Sequence, residues 1–328
     1  MKPTVFVTRR IPERGLALLQ DRCHVSLWDS DEVMPHVELL RAVAKVNGLL
    51  CLLTDKIDAK LLAAAPRLRV VSNMAVGYDN VDVKACTRRR IPVGNTPGVL
   101  TETTADFTWA LILAAARRLA EGVDHVRAGK WTTWGPLLLL GRDIHGATLG
   151  ILGMGRIGTA VARRARGFNM RILYHDLHPN EDAERATGAA FVDFDILLRE
   201  SDFLTIHTTL NPSTHHLINA EAIAKMKSNV VLVNTARGPI VDPWVLYGAL
   251  RANRIFAAAL DVTEPEPIPT DHPLLTLPNC LIVPHIASAS VAARTRMAVM
   301  AAENLLAGLR GEKLPNCVNL SVYAARGR

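Results

Sequence analysis

Cysteine is scarce in this chain of 328 residues. Cys23, Cys51, Cys86, Cys280 and Cys317 are odd in number, scattered, and never spaced as C-x-x-C. That pattern gives neither a disulfide framework nor a zinc site, so a reducing cytoplasmic location and no bound metal are expected. Long apolar runs are missing as well. The longest uncharged one, FTWALILAAA at 107 to 116, falls short of the roughly 18 residues that a membrane span needs. No basic segment followed by an apolar one opens the chain, so no targeting segment is expected. Aromatic residues make up only 5% and none is interleaved with the basic groups RRR (88 to 90), RR (117 to 118) and RRAR (163 to 166). The net charge of +7 is therefore read as solvated helix faces rather than a nucleic-acid groove, and it remains compatible with small anionic ligands.

The 49% hydrophobic content is ample for packed cores, and the length favours two domains over one. Short β-rich runs alternate with helical patterns from the start: TVFVT and ERGLALLQ, HVSLW and VELLRAVA, GLLCLL and AKLLAAA, LRVVSNM and VKACTRRR, then IPVGN. Such alternation implies βαβ units and a parallel sheet. The pattern breaks at NTPGVLTETTADFTWALILAAARRL, where Pro97 and Gly98 end a strand and a long apolar helix follows. This helix is expected to cross between domains and, around Trp109, to offer a dimer interface. A second alternating series runs from TLGILG at 148 to CLIVPH at 285, and a last long helix lies within 290 to 311. The expected fold is α/β with two Rossmann-like doubly wound parallel-sheet domains, residues 1–98 plus 290–328 and residues 99–289. A ligand cleft is expected between them.

In TLGILGMGRIGTAVARRARG the glycines Gly153, Gly155 and Gly158 form G-x-G-x-x-G between a strand and an amphipathic helix. The first glycine permits a tight turn, the second lets backbone approach a pyrophosphate, and the third lets helix and strand pack closely. Eighteen residues beyond Gly158 stands Asp176, after the strand RILYHD. A carboxylate there accepts hydrogen bonds from the adenosine ribose and repels a 2′-phosphate, which favours NAD and leaves NADP as the second choice. His175 and His178 flank it and are placed near the ribose.

Three further strands end on chemistry-bearing residues. VVLVN leads into TARGPIVD with Arg237, AAALDV leads into TEPEPIP with Glu264 and Glu266, and CLIVP leads into His285. Carboxyl strand ends are where open α/β sheets bind ligands. Hydride transfer to a 2-keto acid needs a forked cation, a proton donor and an acid that orients the donor. Glu266 is expected to orient His285, with prolines stiffening its loop, while Glu264 is read as a solvated or structural acid. His207, which also ends a strand, is read as structural or close to the cofactor.

GMGRIG, NTARG, DVTEPEP and PHIASAS stand in the order seen in the D-isomer-specific 2-hydroxyacid dehydrogenases, which the chain resembles over almost its whole length. DHPLLTLPNC and NLLAGLRGE are most similar to the glyoxylate and hydroxypyruvate reductase branch. The resemblance implies NAD(P)H-dependent reduction of a small 2-keto acid in a homodimer, with Arg237, Glu266 and His285 catalytic. It implies cofactor contacts at Thr104, Gly153, Met154, Gly155, Arg156, Ile157, Gly158, Asp176, Leu177, His178, Thr235, Ala236, Asp261 and His285. It also implies substrate contacts at Leu53, Val76, Gly77 and Arg237 in a flavodoxin-like first domain, with Trp134 reaching a neighbouring subunit. Relatives commonly carry Gly at the place of Ala287 and Pro at that of Thr209. The alternatives are another D-2-hydroxyacid dehydrogenase, acting on D-lactate, 2-ketogluconate or phosphoglycerate, or a dinucleotide-binding corepressor.

Overall fold

The computed structural model describes residues 2–326. The chain divides into two compact units, one formed by the residues up to Leu100 together with those from Ala289 onward, the other by Thr101–Ser288. Among the described residues, no helix is long and apolar enough to cross a membrane.

The first unit runs β1 (Thr4–Val7), α1 (Glu13–Gln20), β2 (His24–Leu27), α2 (His36–Ala42), β3 (Gly48–Cys51), α3 (Ala59–Ala64), β4 (Val70–Asn73), α4 (Val83–Arg88) and β5 (Val93–Gly94), and is completed by the helix Val291–Arg310. Its strands form a parallel sheet in the order β2-β1-β3-β4-β5, the flavodoxin-like doubly wound order. Strands β3 and β4 are buried at every position, as continuous apolar strands covered by helices on both faces should be. Asp58, Asp82 and Ser290 begin their helices by accepting the amides of Leu61, Ala85 and Ala293, which satisfies donors that a helix start otherwise leaves open. Fully buried Asn304 donates to the Asn95 carbonyl and accepts the Asn316 amide, both at 2.9 Å. It thereby fastens the 291–310 helix to the end of β5.

The second unit runs α5 (Thr101–Ala116), α6 (Leu119–Arg127), β6 (Thr148–Leu152), α7 (Arg156–Ala165), β7 (Arg171–His175), α8 (Glu181–Thr187), β8 (Ala190–Phe191), α9 (Phe194–Glu200), β9 (Phe203–Ile206), α10 (Ala220–Lys225), β10 (Val231–Asn234), α11 (Pro243–Arg251), β11 (Ala257–Leu260) and β12 (Cys280–Ile282). Its parallel sheet has the order β12-β11-β10-β9-β6-β7-β8. The winding direction reverses between β6 and β9, and such a switch point opens a crevice at the carboxyl ends of the strands.

Helix α5 departs from expectation in two ways. The change of unit falls between Leu100 and Thr101, so the helix lies wholly within the second unit instead of crossing between domains. Trp109 is only 5% exposed; it stacks on Phe168 at 4.8 Å and donates its indole N–H to the Val161 carbonyl. One face of the helix, with Thr104, Ala105, Thr108, Trp109, Leu111 and Ile112, is buried, while Glu102, Asp106, Ala110 and Leu113 face outward. Leu113 is the exposed large apolar side chain of α5, and more lie further on: Leu119 and Val126 on α6, then Trp131, Trp134, Leu137 and Leu140.

Candidate active site

The glycine loop after β6 has the shape that a dinucleotide requires. Gly153 has φ +97°, and a Cβ there would strike the Thr208 amide at 2.6 Å, so the turn is pressed against the backbone leaving β9. A Cβ on Gly158 would meet the Gly153 carbonyl oxygen at 2.2 Å, whereas one on Gly155 would meet nothing within 4 Å. Two glycines are thus required by contact inside the protein, and the third faces open space at the N-terminus of α7, where backbone N–H groups and the helix dipole favour an anion. These residues fit the diphosphate of a nicotinamide dinucleotide: Met154, Arg156 and Ile157 surround Gly155 in sequence, and Asp176 stands beside the loop. The Asp176 carboxylate accepts the Met154 and Leu177 amides, each at 2.7 Å, and retains acceptor capacity on both oxygens for ribose hydroxyls. An open hollow here is lined by Met154, Asp176, Leu177, His178, Asn180 and Arg185. His175 turns away, its Nδ1 at 3.0 Å from the Val192 carbonyl. Thr104 is buried, and its carbonyl accepts from Thr108, whose hydroxyl lies 3.0 Å from that of Thr235.

The structure brings Glu266 and His285 into contact. His285 Nδ1 lies 2.6 Å from Glu266 Oε1, and since a carboxylate only accepts, the ring nitrogen donates. His285 has φ +52°, a left-handed conformation that a side chain adopts at some cost. Three backbone bonds hold it there. The His285 amide donates to the Asp261 carbonyl at 2.9 Å, while the Ile286 and Ala287 amides donate to the two Asp261 carboxylate oxygens at 2.7 and 2.9 Å. Asp261 is 1% exposed. Its burial pushes the carboxyl above the ordinary range, while the Ile286 and Ala287 amides and His285 pull it down. It therefore braces the His285 turn with both oxygens, a positioning role that its sequence context did not reveal.

Arg237 stands on a turn set by buried Asn234 at the end of β10. The Asn234 side chain donates to the Arg237 carbonyl at 2.8 Å and accepts the Ala236 amide at 3.0 Å. Arg237 Nη1 donates to the Ala236 carbonyl at 2.8 Å. The next residue explains the glycine of NTARG: a Cβ on Gly238 would lie 1.9 Å from the Thr263 carbonyl oxygen. The Arg237 turn and the loop that bears Glu266 are therefore in backbone contact. Glu264 points elsewhere and receives His216 Nε2 at 2.6 Å.

In the first unit, asparagine side chains join the two segments that carry the expected substrate contacts. Asn80 donates to the Leu52 and Asp55 carbonyls at 3.0 and 2.9 Å, Asn73 to the Gly77 carbonyl at 3.0 Å, and Asn95 to the Val76 carbonyl at 2.8 Å. The turn with Leu53 and the loop with Val76 and Gly77 thus form one hydrogen-bonded platform. Trp134 is 79% exposed.

His207 follows β9 with Nε2 at 2.9 Å from the Thr205 hydroxyl and Nδ1 at 3.5 Å from that of Thr235. Burial pushes its pKa down to about 3. The unfolded chain takes up a proton near pH 6.5 and the folded one resists it, so stability is full above that pH and is lost as pH falls toward the folded value. From pH 7 to 5 the loss should be about 1 kcal/mol, allowing for partial solvent access. Denaturant unfolding should show a shallower acid slope in His207→Gln than in the wild type; equal slopes would remove His207 from the account.

The family model for the D-isomer specific 2-hydroxyacid dehydrogenase NAD binding domain matches residues 109–287. The chain is 53% identical to a glyoxylate reductase of Korarchaeum cryptofilum, covering 99% of this chain and 98% of that one. It is 50% identical to a glyoxylate reductase of Aeropyrum pernix, again over 99% and 98%. Among solved structures, the NADPH-dependent glyoxylate/hydroxypyruvate reductase of Sinorhizobium meliloti, in complex with NADP and malonate, aligns with a TM-score of 0.87 at 32% identity, covering 98% of each chain. With these matches over nearly its full length, the chain belongs to the D-isomer specific 2-hydroxyacid dehydrogenase family.

Proposed function

We propose that this protein reduces glyoxylate, and hydroxypyruvate with it, to the 2-hydroxy acid, with residues 101–288 binding the dinucleotide and the other unit the substrate. The observation that carries the reading is the 2.6 Å bond between His285 and Glu266 beside the Arg237 turn. Relatives named glyoxylate reductase that match along the whole chain support the substrate class and speak against a corepressor.

When bound, the nicotinamide supplies a hydride to the keto carbon. Arg237 offers a planar fork to the substrate carboxylate and carbonyl oxygen, neutralising charge as it develops. His285, as the imidazolium with Nδ1–H on Glu266, would give its Nε2 proton to the carbonyl oxygen of the substrate. The hydroxy acid leaves and the ring is neutral, still held by Glu266. The platform of Leu53, Val76 and Gly77 is assigned to the substrate carboxylate. A second copy of the chain is assigned to the exposed apolar residues from Leu119 to Leu140, Trp134 among them, since an apolar surface of this extent marks an interface.

Steady-state assays with a panel of 2-keto acids test this directly. Turnover should be highest with glyoxylate or hydroxypyruvate. Arg237→Lys should lose roughly 100-fold in kcat/KM with NADH affinity unchanged. No turnover on any 2-keto acid, or a fully active Lys variant, would reject the reading.

For the cofactor we infer NAD. The Asp176 carboxylate would face a 2′-phosphate with like charge, although the Sinorhizobium relative is NADPH-dependent. The ratio of kcat/KM with NADH to that with NADPH should favour NADH and fall by roughly tenfold or more in Asp176→Ser, about 1.4 kcal/mol of lost discrimination. A wild type that prefers NADPH would contradict the assignment.

A further inference from the structure

We propose that His215, His216 and Glu264 form a site for one divalent transition cation of the zinc class, outside the catalytic residues. No metal is expected from the sequence, because the donors lie 48 positions apart and include no cysteine. The fold assembles them. One ligand atom from each lies within 4.8 Å of the others. His216 Nε2 is 2.6 Å from Glu264 Oε2, His215 Nε2 is 3.7 Å from Glu264 Oε1, and the two rings lie side by side, tilted by 31°, with centroids 4.0 Å apart.

The backbones that carry these groups are already fixed. The His215 amide donates to the Asn211 carbonyl at 3.0 Å, and the His216 amide to the Pro239 carbonyl at 2.8 Å. On the other side, Gly238 presses against Thr263 and Glu264. Both donor segments thus rest on residues 238–239, and binding needs only side-chain adjustment. Two imidazoles and one carboxylate with an open fourth position suit tetrahedral zinc, whose ligand bonds of about 2.0–2.2 Å put donor atoms ~3.3 Å apart. The 2.6 Å contact would open and the 3.7 Å contact close, each by well under an ångström or so. Asp242 stands behind: its Oδ1 accepts the Trp244 and Val245 amides at the start of α11, and its Oδ2 lies 3.8 Å from His216 Nδ1. At this distance the Asp242 carboxylate favours the site by its charge, and a small turn of the His216 ring would bring it into the hydrogen bond that commonly supports a ligating histidine. Two imidazoles and an oxygen donor favour zinc or cobalt over calcium or magnesium, which require oxygen ligands. Occupancy would tie the turn after β9 to the loop that holds Glu266.

The test uses the full chain, stripped with a chelator and titrated with zinc chloride by calorimetry, and in parallel with cobalt chloride in an absorption spectrometer. The expected result is one equivalent of zinc per chain, a cobalt spectrum of four-coordinate type that zinc abolishes, and a loss of about tenfold or more in affinity in His215→Ala and in Glu264→Gln. Unfolding temperatures measured without metal check that both variants fold. If the wild type binds no zinc, or if the double variant His215→Ala/Glu264→Gln binds it as tightly as the wild type, the site does not exist and the His216–Glu264 contact is a structural hydrogen bond alone.

Discussion

The candidate site depends on one buried carboxylate. Asp261 closes β11, and its carbonyl and both side-chain oxygens receive three successive amides, those of His285, Ile286 and Ala287. An oxygen buried without such partners would cost several kcal/mol, and the amides would otherwise be open donors. Each side satisfies the other. This closure holds His285 at φ +52°, a conformation that an isolated histidine would leave, and from that backbone the ring reaches Glu266. Strand end, turn and the His285–Glu266 pair form one mechanical unit.

Contact between loops extends the same logic. Gly238 is pressed on the Thr263 carbonyl, so the segment that bears Arg237 packs directly against the segment that leads to Glu266. Asn234 braces the former from below. The catalytic candidates are thus aimed by backbone contacts among the ends of β10, β11 and β12. A cation and an acid so held need little reorganisation as charge develops, which is the physical basis of electrostatic catalysis.

Much of this was legible in the sequence. The strand and helix alternation implies two parallel sheets because period and length distinguish the elements, and GMGRIG between a strand and a helix carries its own steric reasons. Arg237, Glu266 and His285 stand out because each follows a strand. What could not be read depends on tertiary closure. Nothing local says that Asp261 turns its carboxylate onto the 286–287 backbone, or that His216 meets Glu264, since such pairings join residues far apart along the chain. The uncharged stretch 107–116 does not tell which face of its helix is covered: Trp109 is buried because it packs on Phe168 and Val161, more than fifty positions away, and most of the exposed apolar surface of this region lies on α6 and the segment that follows.

The central claim is that Glu266 fixes the tautomer of His285, keeping the proton on Nδ1 and giving Nε2 the exchange with substrate. Nitrogen NMR of isotope-labelled histidine, with His285 assigned by its disappearance in His285→Asn, reads the tautomer directly. At a pH high enough for the ring to be neutral, the account predicts the proton on Nδ1 in the wild type, and a shift toward the Nε2–H tautomer in Glu266→Gln, where the amide is free to present its N–H group to the ring. A wild-type ring protonated on Nε2, or the same tautomer balance in both proteins, would contradict it.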